Sequence, residues 1–202
     1  MADLKGKTVY TAGKGSTPEY ALNYILRMNG LEPGEDVTIE FRAEHAECLS
    51  ALMNDADAAA MLPQPFLTTA MTKAADMRTA LDLTEEWDKL NTGSSMITGV
   101  VVARREFIEA NPAAVEEFLA SYRASVEYVN ANPADAALLI ENVGIVPAAV
   151  AEKALPHCNI CLIEGAEMAQ KLSGYLEVLY AQESQSVGGA LPDADFYYNA
   201  EG

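Results

Sequence analysis

Thr8-Val9-Tyr10-Thr11-Ala12-Gly13-Lys14-Gly15-Ser16-Thr17-Pro18-Glu19-Tyr20 is the stretch on which the fold turns. A short β-branched and aromatic run gives way to two glycines, as where a strand ends in a tight turn. Ser16 or Thr17 can cap the helix that follows, with Pro18 in its first turn and Glu19 beside it. That helix continues through Leu22, Tyr24, Ile25 and Met28 and stops at Asn29-Gly30, a C-terminal cap signal. Pro33-Gly34-Glu35-Asp36 turns the chain into a second strand, where Val37, Ile39 and Phe41 alternate with polar residues at period two. Leu49, Leu52 and Met53 suit a short helix, and Asp57 to Leu62 a third strand. Pro63-Gln64-Pro65-Phe66 interrupts, and 67–74 reads as helix again. Met77 to Leu83 and Met96 to Val102 are two further strand candidates. Strands separated by helices of this length predict parallel βαβ units with right-handed crossovers.

The second half reads differently. Val115, Phe118, Leu119, Tyr122, Val126 and Val129 form one stripe of a long helix, and Asn111-Pro112 and Asn132-Pro133 start that helix and the next. Met168, Leu172, Tyr175, Leu176 and Leu179 form a second long stripe. The expected architecture is an α/β lobe over 1–103, mostly parallel sheet with flanking helices, followed by a helical segment over 104–202. One-sided helices must bury their stripes on something. Either they pack on each other and on the first lobe, or a sheet is missing from this chain; in the second case the stripes Val115 to Val129 and Met168 to Leu179 are expected to be covered by another copy of the chain, through a dimer or exchange of the helical segment, in an interface above ~2,000 Å².

Composition excludes several partners. The 202 residues carry 13 Lys and Arg against 30 Asp and Glu, a formal net charge of -17. Phosphate contacts need clustered basic residues, so no nucleic acid is expected, nor an anionic membrane surface. The N-terminus lacks the basic and apolar regions of a signal peptide.

Five constellations bear on chemistry. Lys14, Gly15, Ser16 and Thr17 sit between a strand and a helix, where backbone N–H groups can meet a polar ligand end. The turn is neither a Walker A loop nor a full dinucleotide fingerprint, and an ordinary βα turn reads the same way. Glu44 and His45 follow the second strand at the edge where α/β proteins bind ligands, although a polar loop pair would look alike. Gln64, Pro65 and Phe66 offer an amide and a ring on a proline-fixed loop. Trp87, the single tryptophan, sits in a polar stretch as either half-exposed packing or a ligand wall. Cys158-Asn159-Ile160-Cys161, with His157 before it, has redox or zinc spacing. It lacks a second ligand pair, so Cys158 and Cys161 read as buried small apolar thiols, with no metal and no cofactor. No serine elbow or zincin motif is present, and no catalytic residue is assigned.

Taken in order, Asp3 to Val9 with Gly15-Ser16-Thr17-Pro18, Asp55 to Ala59 with Leu62 to Phe66, Val100 to Phe107, Asn111-Pro112 with Val115 and Phe118-Leu119, and Asn132 to Ala137 resemble one family. It comprises the substrate-binding proteins of ABC importers of the nitrate/sulfonate/taurine and thiamine-pyrimidine-precursor type. The resemblance implies a type II periplasmic-binding fold of two lobes that closes on a small polar or anionic molecule and delivers it to a membrane permease. It implies ligand loops at Lys14 to Thr17, Glu44-His45 and Gln64 to Phe66. It also implies a periplasmic or extracellular parent, anchored as a lipoprotein, with a signal and roughly a hundred residues of first lobe ahead of the segment matching Asp3. On that expectation 104–202 belongs to the other lobe. The related pyrimidine-precursor synthases, enzymes on the same fold using a histidine and a cysteine-rich loop, are the alternative.

Overall fold

The structure, a computed structural model, describes residues 1–74 and 76–198. Packing divides the chain into two units that are not contiguous in sequence: residues 1–62, 77–98 and 164–202, and residues 63–76 and 99–163.

The first unit is built on a three-stranded parallel sheet of order β2-β1-β3, with β1 at Thr8–Thr11, β2 at Thr38–Phe41 and β3 at Ala59–Ala60. β1 is central: Val9 lies beside Ile39 on one side and Ala59 on the other. The two connections are α1 (Thr17–Met28) and α2 (His45–Met53), as strand–helix alternation requires. α1 buries Ala21, Leu22, Ile25 and Leu26, spaced as one face of a helix. Leu22 and Leu26 pack with Val9, Leu31 and Val37 over the sheet. Ala21 and Ile25 face away from it, toward Trp87, Tyr175 and Leu179.

Helix α9 (Gly165–Gln182) therefore closes its stripe within the chain, burying Leu172, Tyr175 and Leu179. This corrects the expectation that Met168 to Leu179 needs a second copy to cover it. The boundary by packing also departs from residue 103, because α9 lies on α1 although more than a hundred residues separate them. Gly174 lets the 91–95 loop approach: a Cβ there would stand 2.8 Å from the Ser94 Cβ.

Met77 to Leu83 and Met96 to Val102 are not strands; among the described residues neither segment joins the sheet. Their apolar composition matched a buried strand, but among the described residues neither segment pairs with an edge of the sheet, at β2 or at β3. Val100, Val101 and Val102 stand 59%, 57% and 77% exposed.

The second unit, among its described residues, is helical: α3 (Phe66–Lys73), α5 (Arg105–Ala110), α6 (Pro112–Ala131), α7 (Pro133–Asn142) and α8 (Ala148–Ala154). The short helix α4 (Leu83–Asp88) belongs to the first unit. α7 and α8 meet through small residues, Ala136 and Ala137 against the segment carrying Ala151 and Ala154. α6 buries no residue fully; Val115, Leu119, Tyr122, Val126 and Val129 are half-buried and Phe118 is exposed.

Candidate functional site

Parallel strands put all their carboxyl ends on one edge, and in the first unit two connecting segments leave that edge side by side. Arg42, just past β2, donates its backbone N–H to the Thr11 carbonyl at 2.8 Å. The Lys14 ammonium lies 5.7 Å from the centroid of the Phe41 ring. The turn after β1 and the turn after β2 thus form a single rim carrying Lys14 to Thr17 and Glu44-His45.

The first turn owes its shape to its glycines. Gly13 and Gly15 take φ of +81° and +71°, the left-handed region that favours glycine. A Cβ on Gly13 would also meet the Ser16 Oγ at 2.9 Å. Ser16 is the N-cap of α1, but its hydroxyl donates backward to the Gly13 carbonyl at 2.6 Å. Gly15 donates its N–H to the Glu19 Oε2, also at 2.6 Å. In the second turn Glu44 is the N-cap and His45 the first residue of α2. Ala43 donates its N–H to Glu47 Oε2 at 3.1 Å.

Beneath the rim, Arg42 donates to Glu40 at 2.7 Å and stacks its guanidinium 5.1 Å from the Tyr10 ring centroid. The Glu40 hydrogen bond holds Arg42 above its ordinary value. Tyr10 donates to Asp55 at 3.2 Å; burial first, and then that carboxylate, push its hydroxyl up. Burial also pushes up the Cys48 thiol, packed with Tyr10 and Ala12.

The remaining sequence candidates are carried by other elements. Gln64, Pro65 and Phe66 belong to the second unit, where the Gln64-Pro65 peptide is cis. The Gln64 Oε1 accepts from the Thr68 N–H at 3.2 Å and its hydroxyl at 2.8 Å, so this oxygen holds the start of α3. Trp87 is neither half-exposed nor a ligand wall: it is fully buried between Tyr24 and Tyr175, with its Nε1 donating to Ser94 Oγ at 3.0 Å. Its polar neighbours in sequence concealed that it is the inward residue of the amphipathic turn α4. Cys158 is half-buried and donates to the Ala154 carbonyl at 3.2 Å, while Cys161 is exposed, which corrects the expectation that both are buried thiols; Cys48 is the buried one. Among the described residues no group of three His, Cys, Asp or Glu could hold a metal ion. Among them, too, no helix is long and apolar enough to cross a membrane.

Sequence reasoning missed the four-residue reach of Glu19 and Glu47 back to the turns. The signal was present, since each lies four positions after a loop residue whose N–H is free at a helix start.

The family model described as NMT1/THI5 like matches residues 1–136. An ABC transporter from Parabacteroides distasonis has a similar structure, with a TM-score of 0.76 and 26% identity over 96% of this chain. The match takes in 66% of that protein, so this chain spans slightly less than two thirds of its length. No curated protein matches.

Proposed function

The chain belongs to the NMT1/THI5-like family, and from that premise we propose that it is the solute-binding component of an ABC importer, not an enzyme. The observation that carries this reading is the likeness to an ABC transporter along 96% of the chain. The solute is a small polar molecule held at the rim of Lys14 to Thr17 and Glu44-His45, and a membrane permease receives it. Such a component works outside the cytoplasm, in the periplasm or at the cell surface, with lipoprotein anchoring of the parent. Gln64, Pro65 and Phe66 are kept as separate candidate ligand contacts. The rim supports a binding role because it offers fixed backbone, a cation on an aromatic face and a helix start.

The test is native mass spectrometry of the protein purified from its own source. A stoichiometric small molecule should accompany the wild type and fall roughly tenfold in Lys14→Ala, the scale of one lost charge-assisted contact. Retention in Lys14→Ala and in a Glu44→Ala, His45→Ala double variant would remove the rim from the site. Chemical conversion of the captured molecule would favour the synthase alternative.

A further inference from the structure

The motif Cys158-Asn159-Ile160-Cys161 has no part in the rim, and the structure removes the grounds for treating it as buried packing. Cys161 is exposed and Cys158 only half-buried. Cys48 alone is fully enclosed, beyond the reach of a dissolved reagent.

The two cysteines of the motif are not equivalent. Cys158 directly follows the helical turn Leu155–His157 that continues α8, and the carbonyl end of a helix disfavours a thiolate. Its Sγ donates to the Ala154 carbonyl at 3.2 Å, and burial pushes the thiol up. Both effects keep it protonated. Cys161 stands exposed on the irregular segment before α9. Redox motifs gain a reactive thiolate from a helix start. Here a helix ends at the first cysteine, so reactivity falls to the second.

The backbone lets the two sulfurs meet. Residues three apart have Cα atoms at most about 11 Å apart in a fully extended chain, and a disulfide needs them within roughly 7 Å. This stretch is not extended: the chain bends at Cys158, and Asn159 takes φ of +50°. No helix or strand spans 158–164, so the remaining approach takes rotation within the loop alone. Asn130 Nδ2 donates to the Ile160 carbonyl at 2.9 Å and ties that loop to α6.

We propose that Cys158 and Cys161 form a reversible thiol–disulfide site for small disulfides of the glutathione type. The Cys161 thiolate attacks one sulfur of glutathione disulfide, forms a mixed disulfide and expels one glutathione thiolate. Cys158 then attacks the Cys161 sulfur and expels the second. Two protein thiols become one disulfide, one glutathione disulfide becomes two glutathiones, and the cysteine protons end on these. A location outside the cytoplasm would keep the pair oxidised, but the chemistry requires nothing from the solute-binding reading.

The test incubates the folded chain with glutathione disulfide, blocks remaining thiols with iodoacetamide and maps the peptides by mass spectrometry. The wild type should become lighter by two hydrogens, with Cys158 linked to Cys161, and dithiothreitol should reverse this. Cys48 should take up the blocking reagent only after denaturation. Cys158→Ser should stop at a glutathione adduct on Cys161, several-fold more abundant than in the wild type. In Cys161→Ser the adduct on Cys158 should form several-fold more slowly. Absence of the Cys158–Cys161 link in the wild type, a link to Cys48 instead, or equal adduct rates in the two variants would overturn the proposal. Cys161 is exposed, so its serine variant retains the fold and carries the comparison if Cys158→Ser does not.

Discussion

The two packing units bury different kinds of side chain. The first encloses Trp87, Ile25, Leu26 and Val37 almost completely, and each touches residues distant in sequence. The second encloses Ala70, Ala136, Ala137, Ala151 and Ala154, with Leu155 the one large apolar residue buried there among those described. Its larger side chains face outward: Val102 is 77% exposed, Val143 72% and Ile145 66%. An alanine seam brings helix backbones close and contributes dispersion, but each methyl removes little area from water. The comparison teaches where stability resides. In the first unit it sits in individual large residues; in the second no single side chain carries much of it.

The sharpest way to break the comparison is at Trp87. Trp87→Ala removes the residue that joins α1, α4 and α9 and leaves a cavity, so unfolding should cost about 3–5 kcal/mol less than in the wild type. Chemical denaturation followed by circular dichroism reads this directly. A loss below 1 kcal/mol would mean that the first unit is not closed around it.

Tyr175 offers a pH-based test of the same core. Burial pushes its hydroxyl up to about 12, against an ordinary value near 10. The neutral phenol is the form that fits, so its contribution is intact below pH 10 and is lost as pH rises from 10 to 12. Two units correspond to roughly 2.7 kcal/mol at the upper limit. The wild type should therefore lose more stability across that window than Tyr175→Phe, which has no proton to release. The hydroxyl is buried without a hydrogen-bond partner, so Tyr175→Phe should cost nothing at pH 7. Parallel alkaline slopes for the two proteins would show that the ring is wetter than its burial implies.

How far these features could be read beforehand depended on whether the deciding interaction was local. The β1–turn–α1 unit was legible because glycine, proline and period-two alternation act within a few residues. The stripe on α9 was legible as a stripe, but its partner was not, because α1 and Trp87 are fixed only by tertiary packing. Met77 to Leu83 and Met96 to Val102 failed as strands for a related reason. β-Branched composition states a preference, and whether a neighbouring strand exists to pair with is not written in the segment itself. At the rim, the positions of Lys14 to Thr17 and Glu44-His45 followed from strand order, whereas the engagement of their donors by Glu19 and Glu47 emerged only from the geometry.

Gly174→Ala probes the seam between α9 and the 91–95 loop. The added methyl would meet Ser94 Cβ at 2.8 Å and Ser94 Cα at 3.4 Å, a clash against atoms anchored to backbone. The loop must retreat, weakening the Trp87–Ser94 hydrogen bond, and a loss of about 1–3 kcal/mol is expected. A second substitution, Ser94→Gly, removes the opposing Cβ and should recover part of that loss in the double variant. Failure of Ser94→Gly to compensate would show that the two positions do not meet.

The smallest effect is expected in the second unit, and it is the one that most sharpens the contrast. Leu138, Leu139, Val143 and Ile145 are 54%, 56%, 72% and 66% exposed on or just after α7. Replacing an exposed apolar side chain by a polar one of similar length forfeits only the area it still covers, so Leu139→Gln should change the unfolding free energy by less than about 0.5 kcal/mol. The same change at a buried leucine of the first unit, Leu26→Gln, should cost several times more, since an amide would be enclosed without a partner. Sedimentation equilibrium on the Leu139→Gln protein completes the test. If the variant is markedly less stable, or if its mass falls from that of a dimer to that of a single chain, another molecule covers this face in solution, and the second unit has a large-residue core after all, completed between chains.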